Sequence, residues 1–483
     1  MWNRNRCGRG TNPLTTTPAS LRSMGIAGVT AGHVDLVAPP DAPDSEAWRY
    51  GLGFPFQVAP GKAGIIADLN IEATMNYGFK NGADVVLFDD LSSINTSEVC
   101  PVSRNEHITN PDTGETQLIL KSPVVGGFVP LQALRSDGTP HPHAGTGFGL
   151  GQAHRLLAGP DDEFVWWATD RYDLLEVYQF RYDGREFHSC RTGVFSQNLD
   201  SPLRAGESGW SITTHGLTSA IPDGDDLLLP VIARNGSAAS DGVSRWACHG
   251  EQWHPVSFTP ITGSDSLAED VKHTAHESIL WMEPSLIRDT DGSLLFSARG
   301  SDSYVDPAGV RYGCLVQVWR SEDGGTTWQV ILRVPEIRLE SPVTINKAAD
   351  GTVYLVSNRF DPDFVIDKKT GRGRENLCIW PLNAQRTGLE APLVAREAVK
   401  EFGPAPASPD PEWYDCWMVD HPNGAVVQLR DGKWHSVLTY RVLHSPLFGS
   451  LAIPPAPQSG CYVEEVLSSG EELPAWDFGA SCP

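Results

Sequence analysis

Three things are missing from this sequence, and each removes a class of protein. It has no long apolar pattern at helical spacing, so neither a helix bundle nor a helix-covered parallel sheet is expected. Its nine cysteines, from Cys7 to Cys482, include no Cys-x-x-Cys pair, which argues against a zinc ribbon or a dithiol redox centre. The odd count leaves at least one thiol unpaired or paired between chains. Basic charge is scarce: 37 Lys and Arg face 60 Asp and Glu, a formal net charge of −23. Phosphate backbones are bound by clustered Lys and Arg, so nucleic acid is not an expected partner. The opening Met-Trp-Asn-Arg-Asn-Arg is basic, but no apolar run follows it, so neither a secretory leader nor a membrane span is expected and the chain reads as soluble.

What is present is turn chemistry. The 483 residues include 47 Gly, 37 Pro and 15 Trp, which points to an all-β chain. Residues 1–45 are expected as a poorly ordered lead-in, 46–453 as a β-propeller, and 454–483 as a C-terminal tail or closing strand. Within the middle part a unit recurs: polar residue, apolar run, tight turn, apolar run. The copies are Ile71 to Phe88 around Asn81-Gly82, Ala153 to Arg171 around Asp161-Asp162, and His215 to Arg234 around Asp223-Gly224. Three more are Glu283 to Arg299 around Asp291-Gly292, Ser341 to Arg359 around Asp350-Gly351, and Tyr414 to Arg430 around Asn423-Gly424. Their spacing of about 68 residues suits four strands and their loops, hence one propeller blade each. Six four-stranded antiparallel blades are expected, and the stretch Pro123 to Leu150 leaves room for a seventh. Outer hairpins are expected at Asp183-Gly184, His249-Gly250 and Asp323-Gly324-Gly325.

The first strand of a blade lines the central channel. Aligned on their turns, the copies place Glu72, His154, His215, Glu283, Ser341 and Tyr414 at its entrance, with Arg171, Arg234, Arg299, Arg359 and Arg430 ending the second strands. Trp281 stands beside this ring as a platform for a sugar face. A wet channel wall is polar in any case, but a ring of carboxylates, imidazoles, a phenol and guanidiniums is costly unless it is used.

The octapeptide Ser321-Glu322-Asp323-Gly324-Gly325-Thr326-Thr327-Trp328 matches Ser-x-Asp-x-Gly-x-Thr-Trp, the Asp box of sialidases and other β-propellers, a turn expected on the rim away from ligand. With Glu283-Pro-Ser-Leu-Ile, the following Ser-Leu-Leu-Phe-Ser-Ala-Arg299, and Trp413-Tyr414-Asp415, the stretch of about residues 275–430 resembles the sialidase superfamily. That resemblance implies a nucleophilic Tyr414 whose proton goes to Glu283, because a phenol with pKa near 10 is otherwise a poor nucleophile. It also implies Arg299 and Arg359 as holders of an anionic group, and places Asp90 in the region of the acid/base carboxyl. The sequence departs from sialidases at Glu72, where the first arginine of their clamp would stand; Arg171 or Arg234 would have to replace it.

His141-Pro-His143 sits in a Gly-rich loop. No third ligand follows, so no metal is expected, and no other cofactor; the loop lacks the lysine and helix of a phosphate site. An auxiliary acid or orienting role for His141 or His143 is expected instead. The resulting expectation is an exo-acting glycoside hydrolase with a saccharide substrate, cleaving a terminal anionic sugar. One alternative is a uronate lyase with His143 or His154 as base and a Tyr and an Arg assisting. The other is a propeller that binds glycan without chemistry.

Overall fold

The computed structural model describes residues 26–29, 48–71, 80–96, 98–109, 114, 116–157, 172–196, 201–262, 280–301, 315–334, 341–358, 374–405, 416–445 and 460–468. Short apolar runs broken by Gly, Asp and Pro turns make strands that are too short to stand alone and stack face to face. Among the described residues helix is confined to Leu91–Thr96 and Ala398–Phe402, and none is long and apolar enough to cross a membrane.

The chain order is simple. Strand β1 (Ile26–Val29) comes first. The first blade is β2 (Trp48–Ala59), β3 (Lys62–Ile71), β4 (Lys80–Phe88) and β5 (Glu98–Arg104). After β6 (Glu106–Thr109), the second is β7 (Thr116–Val129), β8 (Thr146–Leu157), β9 (Tyr172–Tyr182) and β10 (Phe187–Ser196). One parallel bridge, Asn81 to Lys121, joins these two blades into a single nine-stranded sheet. The third blade has a broken inner edge, β11 (Leu203–Arg204), β12 (Ser211–His215) and β13 (Ile221–Asp223), against β14 (Asp226–Asn235), β15 (Ala238–His249) and β16 (Gln252–Pro260). The fourth is β17 (Leu280–Arg288), β18 (Leu294–Ser301), β19 (Leu315–Ser321) and β20 (Gln329–Val334). The fifth is β21 (Thr344–Lys347), β22 (Val353–Asn358), β23 (Asn376–Pro381) and β24 (Leu393–Glu397). The sixth is β25 (Cys416–Gln428), β26 (Trp434–Ser445) and β27 (Gly460–Ser468), and β1 pairs with β27 as its outermost strand. The fold is thus a six-bladed β-propeller, with no seventh blade between Pro123 and Leu150. The two ends of the chain share one sheet, so part of the expected lead-in and part of the expected tail belong to the last blade.

Hydrogen bonds at the ends of the inner strands close the circle. Gln57 Nε2 donates to Gln428 O (3.1 Å), Leu131 N to Val58 O (2.8 Å) and His141 Nε2 to Gly224 O (3.1 Å). Arg288 Nη2 donates to Pro222 O (3.1 Å), Lys347 Nζ to Arg288 O (2.6 Å) and Ala349 N to Ser436 Oγ (2.8 Å). These six links join every neighbouring pair of blades on one face, here called the turn face. A cavity of about 120 Å³ lies on the axis just above it, walled by residues of all six blades, among them Phe56, Phe128, Ile221, Leu286, Lys347 and Val426. Between blades both sheet faces are covered: Phe148 stacks on Trp246 at 4.0 Å, and every residue of β22 is buried, whereas outer strands such as β10 and β20 are partly exposed.

Three of the six expected copies keep their turns: 223–224, 291–292 and 350–351 lie between paired strands. The other three are corrected. Asn81-Gly82 lies inside β4, and the first inner strand is β2, turning at Pro60-Gly61. Asp161-Asp162 lies outside the described residues, and the inner strand of the second blade is β7, so His154 belongs to the second strand β8. Asn423-Gly424 lies inside β25, which turns only at Asp431-Gly432. A Cβ on Gly424 would sit 2.7 Å from Asn346 Oδ1 of the fifth blade, so this glycine permits close blade packing and marks no turn.

Candidate active site

The inner strands enter the channel at the end opposite the turn face, here the mouth. Four of them carry the same irregularity, two residues facing one: between Tyr50 and Gly53, Lys121 and Val124, Met282 and Ser285, and Asp420 and Asn423. Such a bulge breaks the ladder and re-aims the side chains it holds. In three of them the extra residues end in proline: Ser122-Pro123, Glu283-Pro284 and His421-Pro422. Glu283 and His421 have φ of 58° and 51°. A residue before proline is pushed toward extended backbone, and positive φ costs a non-glycine residue about 1–3 kcal/mol, so both conformations are held by their surroundings.

Those surroundings are a charged net. Arg299, opposite Met282 on β18, forks onto Glu283, with Nε 2.5 Å from Oε2 and Nη2 3.1 Å from Oε1. His421 belongs to the sixth blade, two blades away, yet its Nε2 lies 3.7 Å from Glu283 Oε1: the two side chains meet across the axis. His421 Nδ1 lies 2.9 Å from Asp420 Oδ1 and 3.3 Å from Arg441 Nη2; the shorter contact is the one to a carboxylate, which only accepts, so Nδ1 donates to Asp420 and the arginine contact is the weaker of the two. Asp420 also receives Arg441 Nε (2.9 Å) and Arg374 Nη1 (2.6 Å). Burial by itself raises the Asp420 carboxyl, but Arg441, His421 and Arg374 override it and hold it well below the usual carboxylate range. Burial lowers the pKa of His421, against the pull of Asp420, so the ring is neutral near pH 7 with a lone pair on Nε2.

Asp241, near the start of β15, completes the group. It is 1% exposed, and its Oδ2 has no hydrogen-bond partner among the described residues. Burial, then the charge of Glu283, push its carboxyl well above the usual range. Neither Asp241 nor His421 is expected from the sequence. The signal for His421 is Asp420-His421-Pro422, a polar residue before proline like Met282-Glu283-Pro284. It stands 11 residues before its true turn glycine, Gly432.

Several expected site residues lie elsewhere. His141 and His143 are on the turn face, in the connection between β7 and β8: His141 is buried between Gly224 O and the His143 N–H (3.2 Å), and burial lowers both imidazoles. This corrects their expected place beside Glu283, because a loop joining the first two strands of a blade must leave the channel at its far end. Asp90 follows β4 on the same face; its carboxylate accepts from Ser92 Oγ (2.7 Å) and Ser92 N (2.8 Å), bonds that lower its pKa and tie it into a turn, remote from the mouth. Trp281 is buried edge-on against Trp319 at 5.1 Å and is core, offering no face to a sugar. His215 spans two blades, its Nε2 3.1 Å from Pro123 O and Nδ1 2.7 Å from Gly216 O. Arg234 is exposed at the end of β14 and makes none of the bonds of the Glu283 net. Tyr414, Arg359, Arg171 and Glu72 lie outside the described residues, as does the side chain of His154. Arg299, expected to hold an anionic substrate group, is the ion-pair partner of Glu283.

The octapeptide closes β19 on β20 on the turn face, as expected. Asp323 Oδ1 accepts from Ser321 Oγ (2.8 Å), Thr326 N (3.0 Å) and Thr327 N (2.9 Å), and Oδ2 from Thr327 Oγ1 (2.6 Å). These bonds, Thr327 foremost, lower its pKa to about 2. Gly324 and Gly325 take φ of 70° and 93°, and Trp328 Nε1 donates to Gly325 O (3.0 Å).

No family model and no curated protein matches the chain. Among solved structures it is similar to a protein of unknown function from Dyadobacter fermentans (13% identity, 91% of this chain and 100% of that one, TM-score 0.47). It is also similar to a mutant of the NanB sialidase from Streptococcus pneumoniae (10%, 89% and 70%, TM-score 0.47). A third is an α-L-arabinanase from Penicillium chrysogenum complexed with arabinobiose (10%, 92% and 99%, TM-score 0.45). Likeness at this level concerns architecture and assigns no residue.

Proposed function

We propose that the chain is a glycoside hydrolase that binds a saccharide at the mouth, against Glu283. One observation carries this reading. A carboxylate and an imidazole from blades that are not neighbours are brought together across the axis, each on strained backbone, each fixed by a buried counter-ion. Strain and buried charge of this kind cluster where they are used. Glu283 takes the proton of the attacking hydroxyl, that of Tyr414 as the sialidase resemblance implies. Arg299 fixes the carboxylate in place, and His421, itself fixed by Asp420, lines the opposite side. The proposal is tested on a panel of chromogenic glycosides with wild type, Glu283→Gln and Tyr414→Phe. Loss of turnover in both, with sugar binding kept, is the expected result. Full turnover in Tyr414→Phe removes the phenol and leaves water as the attacking group, whereas full turnover in Glu283→Gln removes the proposal.

A lyase acting on uronate chains is the second reading, and one observation favours it: the neutral His421, oriented by Asp420, is built like a general base. His143, on the turn face, is not its base. Elimination yields an unsaturated uronate that absorbs in the near ultraviolet and hydrolysis does not, so one absorbance trace on a uronate polymer separates the two.

A further inference from the structure

We infer that Asp241 is the general acid of the proposed hydrolysis, the group that protonates the departing glycosidic oxygen. The inference rests on the hydrolase reading above and adds a residue that neither the sequence motifs nor the Glu283 net identifies.

The geometry is that of a carboxyl held still and left unused. The Asp241 backbone is pinned: its N–H donates to Thr262 Oγ1 (2.8 Å), and its carbonyl accepts from Ile261 N (3.0 Å), Thr262 N (3.1 Å) and Ser240 Oγ (2.9 Å). Ser240 Oγ also lies 2.7 Å from Thr262 O, which stiffens the same turn. The side chain is buried, and Oδ2 meets no donor among the described residues. A buried polar group without a partner costs about 1–3 kcal/mol, and a purely structural position would be better filled by an apolar residue. Strand β15 packs against β17, which carries Glu283, and the two carboxyls sense each other. Two neighbouring carboxyls in unlike environments take unlike roles. Glu283 is paired with the Arg299 guanidinium; Asp241 has only burial and a like charge for company, which raise its carboxyl and favour the protonated form.

The step balances as follows. The Asp241 proton passes to the glycosidic oxygen while the bond from that oxygen to the anomeric carbon breaks, its electron pair staying on oxygen, and the attacking oxygen, its proton taken by Glu283, bonds to that carbon. The leaving sugar departs as a neutral alcohol. Water then completes hydrolysis: its hydroxyl bonds to the anomeric carbon as the attacking oxygen leaves and recovers its proton from Glu283, and the other proton of the water goes to Asp241.

The test uses one glycone with two leaving groups, a dinitrophenolate that needs no proton and an alkyl alcohol that does. Asp241→Asn should lose about 10²–10⁴-fold in kcat on the alkyl glycoside and less than about fivefold on the dinitrophenyl one. The alkaline limb of the wild-type pH profile on the alkyl glycoside should vanish with it. Equal losses on both substrates, or an unchanged alkaline limb, overturn the assignment. If Asp241→Asn does not fold, Asp241→Glu replaces it: the alkaline limb should shift, and an unshifted limb overturns the acid role. Wild type that hydrolyses neither glycoside, across different glycones, takes the hydrolase reading down and this inference with it. Turnover with uniform loss in Asp241→Asn takes down this inference alone.

Discussion

The two ends of the channel carry similar residue types and treat them differently. On the turn face, Asp90, Asp323 and Asp431 accept bonds from amides and hydroxyls two to four residues away. Local loops generate those bonds, and their carboxyls are lowered mainly by them. At the mouth, Glu283, Asp420 and Asp241 interact with groups far along the chain, Glu283 and the neighbouring His421 stand on backbone they dislike, and Oδ2 of Asp241 has no hydrogen-bond partner among the described residues. A charge satisfied by its own turn is architecture. A charge held by distant blades at a cost in strain is the better candidate for chemistry.

The sharpest way to break that contrast is to remove one group from each end. Glu283→Gln is expected to lower kcat about 10³-fold or more, while His143→Ala on the turn face stays within about twofold, read on the same glycoside. Comparable losses in both would erase the distinction. Next comes stability. Asp420→Ala leaves Arg441 and Arg374 buried without their carboxylate, and a loss of about 3–5 kcal/mol is expected in denaturant unfolding. A third test uses two histidines of opposite sign. On the turn face His435 is raised to about 8, first by its bond to Glu465, then, against burial, by Asp431. Its contribution, about 2 kcal/mol, is complete below pH 6.5 and is lost as pH rises through about 8. His421 is lowered, so the unfolded chain takes up the proton first and stability falls as pH drops below about 6.5. His435→Gln should flatten the alkaline side of the melting profile and His421→Gln the acid side; the reverse pattern would contradict both assignments. The smallest effect is Asp323→Ala, expected to lower the melting temperature by a few degrees with kcat unchanged, because the octapeptide only closes a hairpin. Unchanged melting with lost catalysis would remove it from the turn face.

The same contrast explains what could be read from sequence. Turns are local, so Asp291-Gly292, Asp350-Gly351, Asp183-Gly184 and the octapeptide announce themselves, and with them the six-fold repeat. The mouth is assembled from residues 241, 283, 299 and 421, whose meeting depends on register. Asn423-Gly424 imitates a turn inside β25, and a register set by it selects Tyr414 and passes over His421. Asp241-Gly242 poses the same trap, a turn-like dipeptide lying within β15, whose carboxyl gains its meaning only from the fourth blade beside it. Glu283 and Arg299 were legible because their own turn was read correctly and the guanidinium sits across one hairpin from the carboxylate.

The most direct measurement is a crystal structure of Glu283→Gln soaked with a glycoside that wild type cleaves. The account predicts a sugar ring at the mouth, its anomeric carbon facing residue 283 and its glycosidic oxygen within hydrogen-bond reach of Asp241. A saccharide seated instead beside His141 and His143, with the mouth holding only solvent, would contradict it.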